Sequence, residues 1–554
     1  MRHGGQILVD HLKAYGVTRV FSVPGESFLA ALDGLYASGI ENVVCRHEGG
    51  AAMMAEAAGK LTGQPGICFV TRGPGATNAS AGVHVARQDS TPMILFVGQI
   101  DRSHRDREAF QEVDYRAMFG PLAKWAAEVD DIARLPEYIS RAFHIATSGR
   151  PGPVVLALPE DMLSSRADVA DLPPPAPVPP AVSAAQVQAV TDMLATAERP
   201  LLVVGGSLWS AEAAADLQRF AESWGLPVAV SFRRQGHFDN RHPAYAGDLG
   251  VGMNPALGRR LQDCDLLIAL GCRISDSMTR SYELMTPAAP GRRIIHIHPD
   301  ADELGRVWRP DLGIAVPAAQ MAAALAAAPS ADTKARWQAW TAAARAEYEA
   351  WQTPRPTPGA VQMEQVIRWL SENLPEDAVL TNGAGNYAAF LHRYFRFKGW
   401  ATQAAPTSGS MGYGFPAAVS ASLLSPGRVV VCLAGDGCFQ MTLNEMSTAV
   451  QHGATPIVVV ANNGHYGTIR MHQERHYPGR TSGTILANPD FAALARAYGG
   501  HGETVTETAG FAEAFARARA SGLPAVIELR LDPEALTASA TLSEIRAAAE
   551  AAAR

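Results

Sequence analysis

Two polar loops carry the residue types best suited to a divalent cation. Leu433-Ala-Gly-Asp436-Gly-Cys438 closes the apolar run Val429 to Leu433, and Asn462-Asn463-Gly-His465 closes the run Pro456 to Ala461. A carboxylate and an amide carbonyl are hard oxygen donors that suit Mg²⁺, which usually bridges to phosphate oxygens rather than sitting in an all-protein cage. Gly435 and Gly437 would let the backbone approach such a phosphate closely. Alone, Gly-Asp-Gly marks a turn more often than a metal site.

The elements ahead of these loops read as buried strands, because apolar runs of this length bounded by Gly or Asn suit a sheet covered on both faces. In parallel α/β sheets, ligands sit at the carboxyl ends of the strands. Residues 1–165 alternate helix-like and strand-like segments, including Asn42 to Arg46, Ile67 to Thr71, Met93 to Val97 and Val154 to Leu158. A Pro-rich linker, 166–185, follows, with Leu172 to Pro180 too rich in proline to pack a core. A second block, 186–330, offers strands at Leu201 to Val204, Val228 to Ser231, Leu266 to Leu270 and Ile294 to Ile297. After a connector, 331–360, a third block, 361–535, has strands at Ala378 to Thr381, Val429 to Leu433, Ile457 to Ala461 and Ala525 to Leu529, and a helical tail spans 536–554. The fold expected is α/β, with three doubly wound parallel-sheet domains.

Composition narrows the function. The 554 residues are 47% apolar and carry a net charge of -7 without a long basic run, which disfavours nucleic acid and acidic membrane surfaces as partners. No stretch is long enough to span a bilayer, and the first residues read as an amphipathic helix rather than a signal segment. Cys45, Cys68, Cys264, Cys272, Cys432 and Cys438 form no C-x-x-C pair, and several sit in apolar runs. Buried free thiols and a cytoplasmic location are expected.

Rival chemistries fare worse. Gly383-Ala-Gly385-Asn-Tyr-Ala388 fits G-x-G-x-x-A after a strand, yet no acidic residue occurs between Asp377 and Asp436 to read a ribose. His392, Arg393, Arg396, Lys398 and Arg428 lie in that interval and suit a diphosphate instead. His472-Gln-Glu-Arg-His476 lacks the H-E-x-x-H order for zinc, and neither G-x-S-x-G nor a Walker A motif is present.

Asn463 stands 27 positions after Asp436, with a strand, a helix and a strand between. That spacing, from GDG to NN, is the thiamin diphosphate fingerprint. The first block shows Arg46-His-Glu48-Gly-Gly-Ala-Ala, then Thr71-Arg-Gly-Pro-Gly-Ala-Thr-Asn78, then Ala109-Phe-Gln-Glu112. In that order these motifs resemble the acetolactate synthase group of thiamin diphosphate enzymes, and the resemblance covers nearly the whole chain. It implies that the three domains bind the pyrimidine, form the middle, and bind the diphosphate, in that order. It also implies that Glu48 is the carboxylate that hydrogen-bonds the pyrimidine ring. Met411 matches the wedge that folds the cofactor, and Gly409 the carbonyl that holds its amino group. Gly383, Ala384, Gly385, Gly437, Cys438, Gly467 and Thr468 match the diphosphate cradle. Asp436, Asn463 and the backbone oxygen of His465 match the Mg²⁺ ligands. Gly25, Pro74, Asn78 and Gln111 match the pyrimidine or substrate side, with Phe110 and Lys124 facing the reacting end. In the middle block Gly205, Gly206, Gly271 and Arg273 match a nucleotide site, where FAD, ADP or an empty site remain alternatives.

The resemblance implies decarboxylation of a 2-keto acid, then transfer of the remaining carbon unit to an acceptor carbonyl. It further implies an obligate homodimer with active sites at its interface, or a dimer of such dimers. Two positions depart from the family. Ser277 replaces an arginine that grips the acceptor's carboxylate, a contact serine cannot imitate. His472 replaces a tryptophan that shapes the acceptor pocket. Simple 2-keto acid decarboxylation, C–C hydrolysis, and oxalyl-CoA or sulfoacetaldehyde chemistry therefore stand as alternatives. A catalytically silent scaffold is the reading from another class.

Overall fold

The computed structural model describes residues 1–175, 180–330 and 334–552. The Pro-rich run anticipated as a linker lies partly outside them, at 176–179. Each of the three domains holds a six-stranded parallel sheet wrapped by helices. In the first sheet the strands lie in the order Glu41–Val44, Arg19–Ser22, Gly66–Val70, Met93–Gln99, Pro153–Pro159, Trp125–Glu128. Counted along the chain, that is 2-1-3-4-6-5. The third sheet repeats this order with Gln403–Ala404, Val379–Asn382, Val430–Gly435, Ile457–Asn462, Ala525–Arg530 and His501–Val505. The middle sheet runs Tyr245–Leu249, Val228–Ser231, Pro200–Val204, Leu266–Leu270, Arg293–Ile297, Leu312–Ile314, the 3-2-1-4-5-6 order of a dinucleotide-type fold.

The central strands are apolar throughout because helices cover both faces. Met93–Gln99, Pro153–Pro159 and Leu266–Leu270 are buried at every position. All six cysteines are free and buried, and burial pushes the Cys68 thiol up, with the Glu48 carboxylate adding to it. Among the described residues no helix is long and apolar enough to cross a membrane.

The chain forms two compact units. The first contains Met1–Val178, Pro406–Pro426 and Thr442–Thr455, and the second the remaining residues. The stretch 361–535 is therefore not one packing block. Its helix Gly414–Leu424, buried at all but one position, lies in the first unit against the helix Glu48–Thr62, where Ser420 Oγ donates to Met54 O at 2.8 Å. An apolar helix without a polar face needs cover all round. Within the second unit the tail helix Leu542–Ala552 docks on the helix Gly467–His476 through Met471, Leu536, Leu542 and Ile545.

Candidate active site

In the first unit Glu48 opens the helix Glu48–Thr62 directly after the strand Glu41–Val44. A carboxylate in the first turn is favoured by the helix dipole, and His47 Nδ1 caps the helix by accepting from Gly49 N at 3.0 Å. Glu48 is half-buried, and its Oε2 accepts from Asn78 Nδ2 at 3.0 Å. Oε1 lies 3.3 Å from where a Cβ on Gly75 would stand, so a side chain there would crowd the carboxylate. The helix start is anchored by fully buried Glu445, which accepts the backbone N–H groups of Arg46 and His47 and the Thr448 hydroxyl. Burial pushes the Glu445 carboxyl upward, and those donors hold it back. Further along the same helix, Glu56 and Lys60 form a buried cluster with Asp89 and Tyr413.

Gly25 packs on Thr71, which is why a Cβ at 25 would meet Thr71 Cβ at 2.4 Å. Pro74 begins the helix Pro74–Asp89, where its missing N–H costs nothing. Phe110 and Gln111 lie in the loop that follows Met93–Gln99. Gln111 is left-handed (φ 65°) against Gly73, and Phe110 is 73% exposed. Gly409 is exposed and left-handed (φ 67°), a Cβ there would meet nothing within 4 Å, and Met411 nearby is half-buried. All these residues follow strand carboxyl ends. Lys124, expected to face the reacting end, does not. It precedes Trp125–Glu128, and its Nζ donates to Ile145 O (2.5 Å) and Ser148 O (2.6 Å) at the end of the helix Leu135–Thr147. That is the amino edge of the sheet.

In the second unit, Asp436 and Asn463 follow the neighbouring strands Val430–Gly435 and Ile457–Asn462. Asp436 is buried. Its Oδ1 accepts from Gly437 N (2.8 Å), and Oδ2 from Gly464 N (2.8 Å) and Asn488 Nδ2 (2.7 Å). Burial pushes its carboxyl above the ordinary range, partly offset by these donors, and a cation would relieve that penalty. Asn463 Oδ1 accepts from His465 N at 3.1 Å. His465 bridges Ile485 in antiparallel fashion, with Gly464 O and Tyr466 N engaged on that side, so its own carbonyl points the other way. One carboxylate, one amide oxygen and one backbone oxygen suit a small hard cation. Tyr387 roofs the adjoining glycines: a Cβ on Gly385 or Gly435 would meet its ring at 2.6 or 2.9 Å, and its hydroxyl donates to Cys438 Sγ at 3.1 Å. Gly437 is likewise closed by Tyr466, and Gly467 by Leu536. Thr468 Oγ1 donates to Asn386 Oδ1 at 3.0 Å, beside the Gly383–Gly385 loop.

Comparison with known proteins decides the kinship. Residues 2–118, 187–325 and 383–529 match the N-terminal TPP binding, central and C-terminal TPP binding domains of thiamine pyrophosphate (thiamin diphosphate) enzymes. The acetolactate synthase large subunit of Parasynechococcus marenigrum is 32% identical over 95% of this chain and 87% of its own. The isozyme 2 large subunit of Escherichia coli is 33% identical over 91% of each. The chain belongs to the acetolactate synthase-type thiamin diphosphate enzymes. The large subunit from Corynebacterium glutamicum, at 32% over 96% of this chain, shows the same breadth of match.

In the middle domain the anticipated nucleotide-site residues pack or pair as follows. Gly205, Gly206 and Gly271 pack loop on loop: a Cβ on Gly206 would meet Gly271 O at 2.1 Å, and one on Gly271 would meet Gly205 O at 2.7 Å. Arg273 is paired with buried Glu303 at 3.3 Å. Ser277 Oγ lies 2.9 Å from Ser275 Oγ, and the two hydroxyls share a hydrogen bond. His472 is exposed on the helix Gly467–His476, its ring stacked on His476. Sequence reasoning missed Glu445, Tyr387 and Asn488. Tyr387 stood inside the G-x-G-x-x-A stretch, two residues after Gly385. Asn488 and Glu445 carry no local signal, since only the folded chain brings them to Asp436 and to the helix start.

Proposed function

We propose that the chain is a Mg²⁺- and thiamin diphosphate-dependent carboligase that decarboxylates a 2-keto acid such as pyruvate and joins the remaining carbon unit to an acceptor carbonyl. Glu48 carries the reading: one carboxylate oxygen is tied to Asn78 and the other stands beside Gly75. Thiamin diphosphate, when bound, supplies a thiazolium carbon nucleophile that adds to the keto carbonyl and takes up the electrons released with CO₂. Glu48 would hold a proton at Oε1 against the pyrimidine, while Asn78 keeps Oε2 in place. A proton positioned in this way contributes about 10²- to 10⁴-fold in rate, or ~3–5 kcal/mol. Met411 would support the cofactor's bend, and exposed Gly409 would admit its ring. Asp436, Asn463 and the His465 carbonyl would hold Mg²⁺, and the Gly383–Gly385 loop with Gly437, Cys438, Gly467 and Thr468 would hold the diphosphate.

The boundaries 1–165, 186–330 and 361–535 belong to this reading, as does a homodimer whose sites draw on both subunits. Ser277, which by the resemblance replaces the arginine that grips an acceptor carboxylate, pairs instead with Ser275, which supports an acceptor of another kind. An acceptor without a carboxylate, or protonation in place of ligation, is therefore the second reading. Incubation with pyruvate, Mg²⁺ and thiamin diphosphate separates them: acetolactate supports ligation to a keto acid, and acetaldehyde alone selects the second. E48Q should lower turnover by about 10²- to 10⁴-fold, and an unchanged rate would remove the mechanism.

A further inference from the structure

Arg72 is 6% exposed and sits between the strand Gly66–Val70 and the helix Pro74–Asp89, among residues the proposed site uses. Its guanidinium makes three contacts to three separate segments. Nη2 pairs with Glu26 at 2.9 Å, Nη1 with Glu160 at 3.0 Å, and Nε donates to the backbone oxygen of Phe110 at 3.4 Å. A planar fork of fixed donors can hold three acceptors at once, which the point charge of a lysine cannot.

The segment held in this way needs holding. Asp106, Glu108 and Gln111 all adopt left-handed backbone (φ 60°, 54° and 65°), a conformation that non-glycine residues keep only where surroundings over-determine it. Glu112 ties the near half of the turn by accepting from Asp106 N and Ala109 N, and Gln99 Nε2 ties its far end at Val113 O. Phe110 itself is secured through its carbonyl, by Arg72, while its ring projects outward.

We propose that Arg72 is a positioning residue that sets the product: by locking the Phe110–Gln111 turn, it keeps the carbon unit left by CO₂ loss available to an acceptor carbonyl rather than to a proton. This rests on the reading that Phe110 faces the reacting end and Gln111 lines the pyrimidine or substrate side. Both outcomes balance. Two pyruvates and one proton give acetolactate and CO₂ when a C–C bond forms, and one pyruvate and one proton give acetaldehyde and CO₂ when a C–H bond forms. A turn released from the guanidinium admits water and loses its hold on the acceptor.

The test uses the full chain with saturating thiamin diphosphate and Mg²⁺, and measures acetaldehyde and acetolactate per CO₂ from pyruvate. R72M and R72K should raise the acetaldehyde share by about 3- to 10-fold, the factor one hydrogen bond carries, with R72K the milder. The melting temperature and cofactor affinity should stay near the parent's, and amide exchange should quicken only around residues 106–113. If R72M fails to fold, R72M/E26Q/E160Q removes the orphaned carboxylates and serves in its place. F110A is the control. A changed share in F110A with an unchanged share in the Arg72 variants overturns the role of Arg72 while keeping that of Phe110. An unchanged share and rate in F110A removes the reading of the turn, and this proposal with it.

Discussion

Asn488 offers a sharp test of the proposed metal loop because its side chain would act on the metal only through its neighbours. Its Nδ2 donates to Asp436 Oδ2 at 2.7 Å and to Asn462 Oδ1 at 2.8 Å, and its Oδ1 accepts from Gln440 Nε2 at 2.8 Å, so N488A removes one charge-assisted and two neutral hydrogen bonds. A bond to a charged group is worth about 1.5–3 kcal/mol. Loss of such an outer partner typically lowers metal affinity by about 10- to 100-fold, or ~1.4–2.7 kcal/mol, so the two figures agree. The effect should also depend on pH. Burial already pushes Asp436 above its ordinary 3.8, and Asn488 is among the donors that pull it down. Without that donor its carboxyl rises further, a proton competes better with Mg²⁺, and affinity falls earlier as pH is lowered. The assay is a Mg²⁺ titration of activity after chelation, at saturating thiamin diphosphate, at neutral and mildly acidic pH. A half-saturating Mg²⁺ concentration within about twofold of the parent's at both pH values, in a folded variant, would refute the assignment of Asp436 as a metal ligand.

Three further outcomes are expected. In G50A the new Cβ would lie 2.3 Å from Glu445 Oε1, a buried carboxylate pinned by its donors. The variant should lose about 1–3 kcal/mol of stability together with turnover, read by thermal melting and pyruvate assay, and an unperturbed protein would show that Glu445 can give way. K124M should cost about 1–2 kcal/mol through the freed carbonyls of Ile145 and Ser148 while leaving turnover near the parent's; a large loss of turnover would return Lys124 to the reacting end. Arg546 holds the Glu474 carboxyl down at about 2 against an ordinary 4.5. A depressed carboxylate stabilises the folded state fully above 4.5, and that stability fades as pH falls towards 2. Acid should therefore undock the tail helix from Gly467–His476, measured by proteolysis of the tail, and R546A should undock it at higher pH.

Which parts were legible in the sequence follows from where each residue lies. The strands anticipated were those buried on both faces, such as Leu266–Leu270 and Ile457–Asn462, because a doubly covered strand must be apolar at nearly every position. The strands missed were mostly at sheet edges: Trp125–Glu128, Tyr245–Leu249, Leu312–Ile314, Gln403–Ala404 and His501–Val505. An edge strand has one neighbour, tolerates polar residues, and leaves no continuous apolar run. Arg19–Ser22 is an inner strand not named among those anticipated.

The sequence by itself determined the family, since a carboxylate at 48, the Asp436-to-Asn463 spacing and the glycine loops are short-range patterns that survive in a linear text. Long-range packing decided which residues hold those patterns in place. Glu445 reaches the backbone of Arg46, at the start of the Glu48 helix, from 399 positions away in the chain, Asn488 grips Asp436 across 52 positions, and Arg72 joins three segments that no local motif connects. Lys124 shows the converse, a residue expected from the family resemblance to face the reacting end, whose Nζ instead binds two backbone oxygens at the amino edge of a parallel sheet. A parallel sheet sorts its two edges by strand direction, and that direction exists only once the chain has folded.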